Sequence, residues 1–197
     1  MLFSQSVNPD GTYPNGGFNV TGGGLFGYQS IASQFTLDAD ALLTRIDIGL
    51  AYIEETSGRN VVIKLERNDP VLGIPNGQII TSGTATATAP LNNSSIAPTS
   101  FLPSSSTIAL TAGETYWIVA EPADSSTAVV WTSQSRQSTF SVSHFANSSD
   151  GSNYVARYSY DWTAFQVIGS QVPEPSSLLF LCLGSMFFLR RGVSKPQ

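Results

Sequence analysis

The chain has 197 residues, enough for one domain of ordinary size and a tail. Only 12% are charged, about half the usual share, and the net charge is -5 with no basic cluster in the body, which excludes a nucleic-acid partner. One cysteine, Cys182, excludes an internal disulfide framework, and one histidine, His144, excludes the two-histidine HExxH zinc motif.

Residues 1–15 read as an N-terminal segment. Met1 to Ser6 carries neither a basic n-region nor an apolar h-region, so it does not read as a signal peptide, and an export leader is expected upstream of it. From residue 16 to 170 the chain reads as one β domain. Gly22-x-Gly24-x-x-Gly27 matches a dinucleotide fingerprint on paper, with Asp47 further on. That fingerprint needs a helix after it, and the residues that follow alternate as a strand. It is therefore read as a glycine-rich turn, and no cofactor is expected.

Period-two alternation then recurs along the body. Ile31, Phe35 and Leu37 share one face, with Ser33 between them; Ile46, Ile48, Leu50 and Tyr52 share another; Val61, Ile63 and Leu65 a third. Ala39 to Thr44 is expected to make one short helical turn. Asp38 and Asp40, one residue apart, are a candidate calcium pair, weighed against ordinary turn chemistry. Thr81 to Ser106 is rich in Ser, Thr, Ala and Pro, and is expected to begin as a strand and continue as a long loop. Tyr116 to Val119 is apolar on both faces, which predicts a central strand, and Ala128 to Trp131 reads the same way.

The stretch Leu110-Thr111-Ala112-Gly113-Glu114-Thr115-Tyr116-Trp117-Ile118-Val119-Ala120, with Trp131 after it, resembles the choice-of-anchor domains. That resemblance implies an extracellular β-sandwich and no established chemistry.

Further along, His144 lies on an alternating run with Phe140 and Val142 and reads as a strand histidine. Without a Gly-x-Ser-x-Gly elbow there is no serine to pair it with. Asn147 to Asn153 is a polar turn around Asp150, a second calcium candidate against the same Asx-turn alternative. Tyr154, Ala156, Tyr158 and Tyr160 share a face. With Trp162 the tyrosines suggest either a sugar-stacking platform or core packing. Phe165 and Val167 mark the last strand. Short strands between Gly, Asn and Pro turns predict an all-β, antiparallel β-sandwich, jelly-roll-like.

The tail changes character. Residues 1–173 hold 6 basic and 13 acidic side chains, a net -7, whereas the rest hold three basic and one acidic. Val172-Pro173-Glu174-Pro175-Ser176 forms a linker within residues 171–177. Leu178 to Leu189 follows, apolar apart from Gly184 and Ser185, then Arg190-Arg191 and a basic tail over 190–197. A helix apolar on every side belongs in a large core or a membrane. Basic residues beyond it stay cytoplasmic, which would place the acidic body outside. Ser176 to Leu189 spans about 21 Å as a helix against a hydrocarbon core of about 30 Å, so it is short. Cys182 inside this run is no candidate nucleophile.

In the order of its parts, Val172 to Arg191 resembles the PEP-CTERM sorting signal of Gram-negative bacteria. The resemblance implies recognition of Pro173, Glu174 and Pro175 by exosortase, a membrane-embedded protease-like enzyme. It also implies a membrane segment over 178–189 in the inner membrane, a stop at Arg190 and Arg191, and delivery to the surface or matrix. Two prolines keep Pro173 to Pro175 extended, as a protease cleft requires. The function expected is that of a non-enzymatic surface or matrix protein. The alternatives are a carbohydrate-binding module, its partner exopolysaccharide, and a hydrolase with a spatially assembled carboxylate pair.

Overall fold

The computed structural model describes residues 1–5, 12–14, 16–23, 27–93, 95–103, 108–135, 143–159 and 161–173. Every regular element among them is a strand. In chain order these are β1 (Phe3–Gln5), β2 (Gly17–Gly22), β3 (Tyr28–Thr36), β4 (Ala41–Ile48), β5 (Leu50–Tyr52), β6 (Asn60–Asn68), β7 (Pro75–Thr86) and β8 (Ala89–Pro90). They continue with β9 (Thr99–Phe101), β10 (Ile108–Leu110), β11 (Thr115–Pro122), β12 (Ala128–Ser135), β13 (Ser143–Ser148), β14 (Val155–Ser159), β15 (Asp161–Thr163) and β16 (Phe165–Gln171). The expected C-terminal helix over 178–189 lies outside the described residues.

Two sheets form. The smaller has the order β1-β16-β4-β10, with β9 also on β4. The larger runs β7-β6-β11-β3-β2-β12-β5-β8, with β13 on β3, β14 on β13 and β15 on β12. Strand pairs are antiparallel except β5 with β8. The inner faces share one core. Leu43, Ile46, Ile48, Phe165 and Val167 from the smaller sheet meet Ile31, Phe35, Val61, Ile63, Leu65, Ile118 and Trp131 from the larger. Aromatic rings bridge the layers: Phe3 lies 5.4 Å from Phe165, and Trp131 meets Phe165 edge-on at 6.2 Å. This is the sandwich that the alternation predicts.

β11 is central, paired with β6 on one side and β3 on the other. Both of its faces are buried. Tyr116, Ile118 and Ala120 join the main core. Trp117 and Val119 join a second cluster on the outer face, where Ala146, Tyr154 and Ile74 cover them.

Four expectations need correction. First, the N-terminal segment is not separate from the sandwich. β1 pairs with β16, and Tyr13 is fully buried, because Phe3 completes the aromatic row and Tyr13 bridges to Ile96. Second, Ala39 to Thr44 contains no helical turn: Ala41 and Leu43 alternate inward and start β4. Third, Thr81 to Ser106 is more than a long loop. It holds the rest of β7 together with β8 and β9, and it buries Ala85, Ala87, Ile96 and Phe101, small or apolar side chains spaced among Ser and Thr. Fourth, Ile46 to Tyr52 keeps a single inward face but is two strands. At Gly49 the chain leaves the smaller sheet and enters the larger.

Candidate functional site

β16 carries the chain to its sorting segment. It lies between β1 and β4, buries Phe165 and Val167, and shifts register between Ile168 and Gly169. Its last pair is Gln171 with Ala41. One more rung follows, as the Val172 amide donates to the Asp40 carbonyl at 2.8 Å. Pro173 has no amide hydrogen, so the ladder cannot continue through it. Gln171, Val172 and Pro173 are all exposed. The first two residues of the predicted motif thus sit at the end of a paired strand, on the surface. Glu174, Pro175, Ser176, Arg190 and Arg191 lie outside the described residues.

The exit point is braced by the neighbouring turns. The Asp40 carboxylate accepts the Ala112 amide at 2.8 Å, and the Gly113 amide donates to the Leu37 carbonyl at 2.9 Å. Glu114 pairs with Arg67 at 2.9 Å and accepts from the Tyr116 hydroxyl at 3.0 Å. Burial, more than any other influence, raises the Tyr116 phenol above its ordinary value, so it stays a neutral donor. One pole of the sandwich is therefore built from the end of β16, the turn before β4, the turn before β11 and the end of β6. Asp40 is flagged by sequence only as a metal candidate. Here it ties the exit of the chain to the 111–114 turn, a role set by a partner 72 residues away.

The other predicted positions are elsewhere. Asp150 is an Asx-type turn acid: Oδ1 accepts from the amides of Ser152 and Asn153 at 2.9 and 2.8 Å, and from the Ser148 hydroxyl at 2.8 Å. Those donors, the Asn153 amide foremost, hold its carboxyl far below the usual range. Asp38 is exposed. Among the described residues no group of three or more His, Cys, Asp or Glu is placed to hold a metal ion. The stretch Gly22 to Gly27 connects β2 to β3, which pair antiparallel, so it joins strand to strand. His144 lies on β13 opposite Tyr158. The side chains of His144, Tyr158, Tyr160 and Trp162 lie outside the described residues, as does Cys182, and with them the sugar-stacking platform.

Sequence reading did not single out a polar cleft of about 300 Å³ on the outer face of the larger sheet, lined by Lys64, Glu66, Asn76, Ser152 and Tyr154. Glu66 is 3% exposed and accepts the Gly77 amide at 3.0 Å, while Lys64 pairs with Glu121 at 2.6 Å. A buried acid on an alternating strand resembles its solvated neighbours in sequence, so only the fold reveals it.

An all-β sandwich that ends in an exposed, proline-blocked strand defines a body with a C-terminal appendage. Residues 171–193 match the PEP-CTERM protein-sorting motif. That motif supports export and sorting through exosortase, a membrane protease, with an envelope or surface destination. No curated protein matches the chain.

Proposed function

We propose that this chain is a non-enzymatic surface or extracellular-matrix protein, displayed by a C-terminal signal that exosortase processes at Val172 to Ser176. In this reading Leu178 to Leu189 is a membrane helix, Arg190 and Arg191 hold its end in the cytoplasm, and the acidic sandwich lies outside. The body is of the choice-of-anchor type. What supports that is the turn at Gly113, with φ of 75°, leading into a strand that buries both Tyr116 and Trp117.

One observation carries the proposal. The paired strand stops at the Val172 amide, and the Pro-Glu-Pro motif begins at the next residue. A folded sheet resists a protease, because cleavage needs an extended segment free of ladder bonds. The body therefore protects everything up to Val172, and the signal starts where protection ends. A structural role for the body is supported by its acids. Asp40, Asp69, Glu114, Glu121, Asp124 and Asp150 are each engaged by the protein's own donors.

The test is Pro173→Ala combined with Pro175→Ala in the producing cell. Pro173 is exposed and donates nothing to the sheet, so the melting temperature should barely move, a surface change being worth within about 0.5 kcal/mol. Processing should be lost, with the unprocessed chain retained in the membrane. Normal processing of this variant would contradict the proposal.

A further inference from the structure

We infer that the pole from which the sorting segment leaves is the membrane-facing end of the sandwich, and that Val71 and Leu72 at this pole contact the lipid surface. The inference rests on the proposed membrane segment but concerns the folded body. Its first support is placement. Pro70 lines one small cleft with Arg67, Asn68, Gly113, Glu114 and Thr115. The same turn, through Ala112, is hydrogen-bonded to Asp40, whose carbonyl holds Val172. The 69–74 loop and the exit of β16 therefore belong to one end of the molecule.

The second support is exposure. Val71 is 89% and Leu72 is 63% exposed, and Val172 beside the exit is 40% exposed. The loop does not present these side chains by chance of disorder. The Asp69 carboxylate accepts the amides of both Val71 and Leu72, at 2.8 and 3.0 Å, and the Gly73 amide donates to the Asp69 carbonyl at 2.8 Å. Ile74 turns inward against the second cluster while Val71 and Leu72 point away from the body. An ordered turn that spends its own hydrogen bonds holding two apolar side chains in water is the pattern of a surface that meets something apolar.

The third support is reach, which selects lipid as the occupant. Five residues, Pro173 to Ser177, separate Val172 from the apolar run. Fully extended they span at most about 17 Å. A chain anchored by that run keeps this pole next to the bilayer at high effective concentration, so two side chains suffice for a contact that would be negligible for a free body. The pole also carries Asp38, Asp40, Asp69 and Glu114 against Arg67, so a zwitterionic surface suits it better than an anionic one.

The experiment uses the full chain with Cys182→Ala and a single new cysteine, at Leu72 or at Ser125, carrying an environment-sensitive fluorophore. Ser125 is exposed in the turn after β11, at the far end of that strand, roughly 25 Å away. The protein is reconstituted into phosphatidylcholine vesicles, and insertion is read by flotation. The expected result is flotation, with a blue shift and quenching by doxyl-labelled lipid at position 72 but not at 125. A second label at Val71 should behave like that at Leu72. Flotation with position 72 as water-exposed as 125 would overturn this inference and leave the sorting proposal intact. Failure to float would overturn the membrane segment and the inference with it.

Discussion

Glu66 shows what the fold does to a single residue. Burial, the largest influence, raises its carboxyl above the ordinary 4.5, against the Gly77 amide and the Lys64 ammonium, which favour the charged form. The folded value therefore exceeds the unfolded one. Its contribution to stability is complete below pH 4.5 and is lost as pH rises through the folded value. Glu66→Gln removes the charged form and leaves an amide oxygen for the Gly77 N–H. We expect a higher melting temperature at pH 7, with the gain over the unaltered protein shrinking below pH 4.5. An equal or lower value at pH 7 would mean that attraction to Lys64 outweighs burial. Asp150 runs the other way, held low by turn donors that any Asx motif supplies. Its turn is legible in sequence because those donors are its neighbours; the burial of Glu66 and the partner of Asp40 are not, because they come from distant residues.

At the scale of elements, alternation identifies most core faces and misses changes of sheet. Ile46, Ile48, Leu50 and Tyr52 do share the inner face as expected. Nothing in their periodicity marks Gly49 as the corner where the chain crosses layers. The reason for glycine is local crowding. A Cβ there would lie 2.2 Å from the Thr132 hydroxyl and 2.9 Å from the Tyr13 Cβ, while the Gly49 carbonyl accepts the Thr132 amide at 2.8 Å. Gly49→Ala should therefore cost about 1–3 kcal/mol, read as a lower urea midpoint with an unchanged slope. An unaltered midpoint would show that the corner yields freely. The Thr81 to Ser106 stretch was hidden for a related reason. Its buried positions are filled by Ala85 and Ala87, which carry little hydrophobic signal, and its few larger anchors, Ile96 and Phe101, are widely spaced. β11 was legible because both its faces are strongly apolar, the mark of a strand covered on two sides.

For the whole molecule, the polarity of the sandwich links fold to destination. The strand that ends at Gln171 is internal to its sheet, so the signal hangs from one of the better-anchored elements of the body, not from a frayed edge. Removing the appendage breaks no ladder bond up to Val172, so the body should survive processing intact. The tail signal was readable in sequence since it depends on order and composition alone: two prolines, an apolar run without a polar side, and a basic end. The pole that faces it was not, since it assembles from turns about 40, 70 and 112 that only the fold brings together. The most direct measurement is the intact mass of the mature protein from the producing cell. This account predicts a chain ending between Pro173 and Ser177, without Arg190 and Arg191. A mature product that retains both arginines would contradict it.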